Sequence, residues 1–237
     1  MDIKRFLEFR RVRRLARQTV GGIDSVIGSF RLEKQFPLLL EYRKHNSALK
    51  LRLKPYYEDY ISTVSTPRIA ISLELATLML LLCNILNPRT ILDLGSGFSS
   101  FVFRSYLQDA PVKPLIWSID DDPDWLAKTR AFLSKYGLCT DNLDTWANFT
   151  KAGHGLFDLI LHDLGSTQEI RLTTLTEVIP YKNPQGVLIL DDMHKVPYGP
   201  TTRRILKNLN LKYYNLKSYT RDRYGRYSFL VMNGRQG

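Results

Sequence analysis

Between Thr90 and Leu190, short apolar runs alternate with longer amphipathic ones, and this alternation restricts the fold more than any other feature of the chain. Thr90 to Leu94, Leu115 to Ile119, Phe157 to His162 and Gly186 to Leu190 read as strands. The segments between them, Ser99 to Leu107, Pro123 to Tyr136 and Gln168 to Ile179, carry helical spacing. Strands that are apolar on both faces belong in a parallel sheet covered on both sides by the crossover helices. The expected class is α/β, doubly wound and mostly parallel. Leu211 to Leu216 and Tyr227 to Met232, separated by a polar loop containing Gly225, predict a closing antiparallel hairpin.

The chain's 237 residues suffice for one such domain with an appendage. Residues 71 to 86 predict a buried helix closed by Asn87-Pro88, and its apolar run from Leu75 to Leu86 is too short to cross a bilayer. Upstream, residues 3 to 20 predict a basic amphipathic helix stopped by Gly21-Gly22. A weaker helix is expected over Phe36 to Tyr42, and Lys54-Pro55-Tyr56-Tyr57 is expected to break the pattern. Residues 1 to 55 therefore read as a basic helical extension and residues 56 to 237 as the main domain.

The net charge of +11 is concentrated at the ends. Residues 1 to 55 carry 14 Lys and Arg against 5 Asp and Glu, residues 203 to 237 carry 9 against 1, and the middle is acidic. Such ends suit nucleic acid or an anionic membrane surface, or serve as solvated helical faces. Neither a base-flipping Asn-Pro-Pro-Tyr tetrapeptide nor an RNA-binding module is present, which ranks nucleic acid below a small-molecule partner. Cys83 and Cys139 stand apart without a partner motif, and no export signal is seen, so a cytoplasmic location is expected.

Ile91-Leu92-Asp93-Leu94-Gly95-Ser96-Gly97-Phe98-Ser99-Ser100 is a strand running into a glycine turn and then a helix. Glycines let backbone approach a ligand, and the helix start offers free N–H groups to an anion. The next strand ends in Asp120-Asp121-Asp122-Pro123. A carboxylate at Asp120 can accept both vicinal hydroxyls of a ribose, whereas Asp122-Pro123 reads as a helix cap. A dinucleotide fold would place a third glycine where Ser100 stands.

With Asp93 ahead of its two glycines, the chain from about residue 65 onward resembles the class I S-adenosylmethionine-dependent methyltransferases. The resemblance implies a seven-stranded sheet and a cofactor site of Asp93, Gly95, Ser96, Gly97, Ser99, Ser100 and Asp120. Asp121 is assigned to that site with less definition. The family also places an adenine contact after the third strand, which points to Asp144, Thr145 and Trp146, although Trp146 serves packing equally well.

The fourth and fifth strands end in His162-Asp163 and Asp191-Asp192-Met193-His194. Asp163, Asp191 and Asp192 are expected on one rim, and hard oxygen ligands of this kind suit Mg²⁺. These stations are similar to those of the catechol O-methyltransferase-like branch, and Asp-Asp-Met resembles the cephalosporin-tailoring relatives. The resemblance implies methyl transfer to a hydroxyl, less so an amine, of a small molecule, with Asp163 serving cofactor, metal and catalysis together. That branch carries a lysine where this chain has Ser166. His194, with His162 behind it, is the expected replacement base. Two other readings stay open: a nucleic-acid methyltransferase using the basic ends, and a non-catalytic module held on an anionic surface by the N-terminal helix. Tyr56, Tyr57, Tyr60 and residues 62 to 72 are expected either to close over the pocket or to pack the helix that follows.

Overall fold

The computed structural model describes residues 32 to 234 together with Ile27 and Phe30. The basic helix expected over residues 3 to 20 lies outside the described residues. After a short 3-10 turn (Pro37–Glu41) come helices α1 (Tyr42–Thr63) and α2 (Leu73–Leu86). Strand and helix then alternate: β1 (Thr90–Leu94), α3 (Phe98–Asp109), β2 (Leu115–Asp120), α4 (Pro123–Lys135), β3 (Leu143–Thr145), α5 (Trp146–Ala152), β4 (Phe157–His162), α6 (Gln168–Val178) and β5 (Lys182–Leu190). The chain ends in α7 (Tyr198–Asn208), β6 (Leu211–Asn215), the short α8 (Lys217–Thr220) and β7 (Phe229–Asn233).

The seven strands lie in the order β3-β2-β1-β4-β5-β7-β6. Pairs among β1 to β5 are parallel, and β7 runs antiparallel to both β5 and β6, so the predicted mostly parallel sheet and closing hairpin are present. After β1 the chain builds outward through β2 and β3, then returns to place β4 on the other side of β1. That reversal opens a crevice at the carboxyl ends of β1 and β4.

Side chains alternate across the strands and divide the core into two layers. Ile91, Leu159, Leu161, Val187 and Ile189 face α2 and α3, whereas Leu92, Leu94, Ile160, Leu188 and Leu190 face the α5, α6 and α7 side. Helix α2 has its central residues Leu75 to Cys83 all buried, which is why its sequence is apolar around the whole circumference. No helix among the described residues is long and apolar enough to cross a membrane.

Two expectations need correction, and not every element was anticipated. The break at Lys54-Pro55 is absent, because α1 runs through Pro55. The missing N–H removes one helical bond, and packing of the next turn offsets it: Tyr56 lies 4.9 Å from Phe101, Tyr57 5.1 Å from Phe98 and Tyr60 4.9 Å from Phe132, ring centre to ring centre. Strand β3 forms although its sequence carries no clear strand signal, since pairing with β2 supplies its hydrogen bonds. Strand β5 starts at Lys182 rather than Gly186, across a shift in register opposite Phe157 and Leu159. The turn chemistry of Pro197, Gly199 and Pro200 masked helix α7 altogether.

Ser72 caps α2 by accepting from the Leu75 N–H at 3.0 Å. Ser72→Ala is expected to lower the unfolding free energy by about 1 kcal/mol, and truncation of the fully buried Leu78 to Ala by roughly 2–5 kcal/mol. Urea denaturation of the two variants measures both.

Candidate active site

The glycine turn after β1 is held from below. Asp93 is fully buried, and its Oδ2 accepts from Ser100 Oγ at 2.5 Å and from Ser118 Oγ at 2.8 Å. Ser100 Oγ in turn accepts from the Gly97 N–H at 3.1 Å, so the residue standing where a third glycine would be ties the turn to the buried carboxylate. Arg104, itself buried, donates to Ser118 Oγ at 2.7 Å and to the Asp141 carbonyl at 2.8 Å, which places a cation near Asp93 without direct contact. Burial pushes the Asp93 carboxyl up, against the pull of its serine donors and of Arg104. Its Oδ1 has no partner.

Above this support lies a cavity of about 310 Å³, walled by Gly95 to Ser99, Asp120, Trp125, Asp163 to Ser166 and Arg171, with Tyr60 and Ile69 to Ile71 over it. Gly95 (φ +96°) and Gly97 (φ +152°) adopt conformations that side chains rarely tolerate. A Cβ at Gly97 would stand 2.7 Å from the Tyr60 hydroxyl, and one at Gly95 2.8 Å from the Asp163 carbonyl carbon. Close backbone approach is therefore required by the protein's own packing before any ligand is considered.

Asp120 sits on the wall with acceptor capacity to spare. Its Oδ2 accepts from Ser96 Oγ at 3.3 Å and its Oδ1 from the Asp122 N–H at 3.2 Å. Each carboxylate oxygen has a second lone pair. Burial pushes its pKa up to about 6, only partly opposed by these hydrogen bonds. Trp125 donates its ring N–H to the Ser96 carbonyl at 2.6 Å and so closes the turn from the α4 side. Asp122 caps α4 as expected, accepting from Asp124 and Trp125.

The third-strand candidates lie on the same rim but not on the cavity wall. Asp144 accepts from Asn148 Nδ2, Thr145 caps α5, and Trp146 stacks on Phe149 while donating to Glu177 at 3.0 Å. Asp121 is exposed and off the wall, and Asp93 and Ser100 lie under the cavity. Tyr60, already suspected, belongs to the wall. Trp125 and Arg171 were missed, because a tryptophan and an arginine inside amphipathic helices give no chemical signal in sequence.

Two of the three acids after β4 and β5, Asp163 and Asp192, do meet, but around an arginine. Arg171 Nη1 donates to Asp163 Oδ1 at 2.6 Å and to Asp192 Oδ2 at 3.1 Å, and its Nη2 to the Asp163 carbonyl at 3.0 Å. Asp191 turns away and accepts from Ser228 Oγ at 2.7 Å, while Lys195 Nζ reaches Asp192 Oδ2 at 2.5 Å. The expected Mg²⁺ set of Asp163, Asp191 and Asp192 therefore does not fit a shared ion, and among the described residues no group of three or more His, Cys, Asp and Glu is placed to hold one. Burial raises the pKa values of Asp163 and Asp191, with the neighbouring carboxylates adding to it. Asp192 is lowered, because Arg171 and Lys195 outweigh its burial.

His194 is half-buried, 3.6 Å from Asp192 Oδ1 through Nδ1, and burial lowers its pKa. Its imidazole is thus neutral near pH 7. His162 is fully buried with its Nε2 2.9 Å from Thr174 Oγ1, and burial pushes it down to about 3, so it serves packing rather than proton transfer.

One further contact shapes the site from a distance. Arg226, paired with Asp222 at 2.7 Å, donates to the carbonyls of Pro67, Arg68 and Ala70, the loop that carries Ile69 to Ile71 over the cavity. The same hairpin also fastens the acid rim, through Ser228 to Asp191 and through the Tyr227 carbonyl to the Met193 N–H.

No family model matches the chain, and no curated protein matches it. Solved structures do. An SAH-bound methyltransferase of Podospora anserina is 16% identical with a TM-score of 0.57, over 76% of this chain and 86% of that one. An O-methyltransferase of Streptomyces achromogenes involved in tomaymycin synthesis, in complex with SAM, is 14% identical with a TM-score of 0.56, over 80% and 89%. An O-methyltransferase of Bacillus cereus in complex with SAH is 15% identical with a TM-score of 0.56, over 78% and 89%. At these identities the likeness is one of fold, and it establishes the doubly wound α/β architecture that the chain shares with these structures.

Two outcomes follow from the supports of the cavity. Ser100→Ala leaves the buried Asp93 carboxylate and the Gly97 N–H short of a partner and is expected to cost roughly 1–3 kcal/mol in urea denaturation. Arg226→Lys keeps the charge but not the planar fork that spans three carbonyls. Trypsin should then cleave after Arg68 faster than in the parent protein, since Arg68 and Ile69 are already exposed and only the backbone is held.

Proposed function

We propose that the chain binds S-adenosylmethionine in this cavity and transfers its methyl group to a hydroxyl, less so an amine, of a small molecule. The observation that carries the reading is Asp120: a carboxylate on the wall of a cavity at the chain-reversal point, beside a two-glycine turn, with both oxygens able to accept further hydrogen bonds. The fold shared with SAM- and SAH-bound methyltransferases supports it.

The cofactor supplies an electrophilic methyl group on a sulfonium. The protein supplies position and proton handling. Asp120 takes the vicinal ribose hydroxyls, and the Gly95-Ser96-Gly97 turn, stiffened through Ser100 and Trp125, offers its backbone to the amino-acid end. Tyr60 and the loop from Ile69 to Ile71 supply the apolar part of that wall. Asp163, at the carboxyl end of β4, is on the cavity wall across from the glycine turn. His194, beside Asp192 and off that wall, is neutral near pH 7 and would take the proton that an acceptor hydroxyl gives up. His194→Gln is expected to lower turnover without weakening cofactor binding.

Calorimetric titration with S-adenosylhomocysteine tests the reading. Ribose hydroxyls bind the ionised form of Asp120, whose pKa in the free protein is about 6. Affinity should be full above pH 7 and fall as the pH drops through 6, approaching about tenfold per unit at lower pH. Asp120→Asn should weaken binding and remove the part of the pH dependence that Asp120 contributes, leaving that of Asp163 on the same wall. Absence of binding by the parent protein, or preference for a nicotinamide dinucleotide, sinks the assignment.

A further inference from the structure

The sequence places three acids where a divalent cation would sit, and the structure places a guanidinium among them. We infer that Arg171 is the resident cation of this rim and that the site works without a divalent metal, taking acceptors that present a single hydroxyl rather than a chelating pair. The inference rests on the methyl-transfer reading of the same site.

The geometry leaves little room for an alternative occupant. Arg171 spans Asp163 and Asp192 with one nitrogen and holds the Asp163 carbonyl with the other. Its side chain is 9% exposed, against 18% for Asp163 and 11% for Asp192. A divalent ion would need oxygens from at least two of the three acids. One oxygen of Asp163 is bound to Arg171, Asp192 Oδ2 is shared by Arg171 and Lys195, and Asp191 is turned away from both with its Oδ1 on Ser228. Entry of a metal would strip a buried guanidinium of its carboxylates, the costly way to break a buried ion pair.

The placement of Arg171 is built into the backbone. Thr167 caps α6 so that Arg171 lies in its first turns, and Gly165 (φ +118°) lets the preceding loop come so close that a Cβ there would stand 2.8 Å from the Arg171 nitrogen. The guanidinium also lies over the Tyr198 ring, its carbon 5.7 Å from the ring centre. Arg171 reaches the cavity wall, and its Nη2 bears a second N–H beyond the one given to the Asp163 carbonyl. That donor suits an acceptor oxygen that gains negative charge as its proton leaves. A guanidinium stays charged at any physiological pH. A chelating pair of hydroxyls has no ion here to bind, whereas one hydroxyl matches one donor.

Mn²⁺ titration of the full chain, followed by the paramagnetic resonance of the free ion, tests this independently of activity. The parent protein should take up no stoichiometric Mn²⁺ below millimolar concentrations. Arg171→Ala should bind it at least tenfold more tightly, and the added Asp163→Asn should abolish the gain. Arg171→Gln, which keeps hydrogen bonding and loses the charge, replaces the alanine variant if that does not fold. Micromolar uptake of one Mn²⁺ by the parent, lost in Asp163→Asn, overturns the inference, as does a folded Arg171 variant that binds Mn²⁺ no better than the parent. S-adenosylhomocysteine binding in EDTA and in Mg²⁺ separates the two readings. Affinity that requires Mg²⁺ overturns the role of Arg171, and no binding in either sinks methyl transfer while the Mn²⁺ result still judges the cation site.

Discussion

The glycine turn keeps its shape because a buried carboxylate holds it. Asp93 has no water to solvate it, so its hydrogen bonds must come from the protein, and they come from the start of α3 through Ser100 and from β2 through Ser118. Three elements thereby meet at one oxygen, with Arg104 balancing the charge through Ser118. If that contact were absent, the turn's N–H groups and the alignment of β1 with β2 would lose a common anchor. Asp120 on the neighbouring strand owes its position to the same alignment.

The rim on the other side of the crevice is organised by a second charge cluster of different character. Around Asp93 the donors are mostly neutral hydroxyls, which bind a carboxylate without competing for its charge. Around Asp163 and Asp192 they are the cationic side chains of the buried Arg171 and the half-exposed Lys195. The first arrangement makes a rigid base for a turn. The second makes a polar wall with a permanent positive centre, suited to a site where charge changes during a reaction.

The cover of the cavity is joined to both. The aromatic side chains of α1 pack on Phe98, Phe101 and Phe132, and the loop after α1 is gripped by Arg226 from the closing hairpin. That hairpin also supplies Ser228 to Asp191. The segment over the cavity and the acid rim therefore share a support at the far end of the chain, which explains why the last strands belong to the site although they lie off its wall.

Hydrophobic periodicity and the glycine turn were local properties, and the sequence alone determined what depends on them: the strands from Thr90 to Leu190, the helices between them, the closing hairpin, the cap at Asp122 and the acid at Asp120. Strand β3 and helix α5 escaped because pairing and packing stabilise them. Helix α7 escaped because Pro197, Gly199 and Pro200 read as a turn despite the helical spacing of Tyr198, Thr202 and Leu206, and Pro55 misled because packing of the next turn offsets its lost bond. The site was legible only in part. A motif marks where the backbone turns but not whether an acid such as Asp93 lies under the turn or an acid such as Asp120 beside the cavity. The tertiary structure alone decided that Arg171, eight residues beyond Asp163 and on a helix, reaches back to bridge the carboxylates of Asp163 and Asp192. Sequence spacing counts residues along a chain, whereas a buried charge selects its partner by distance in space.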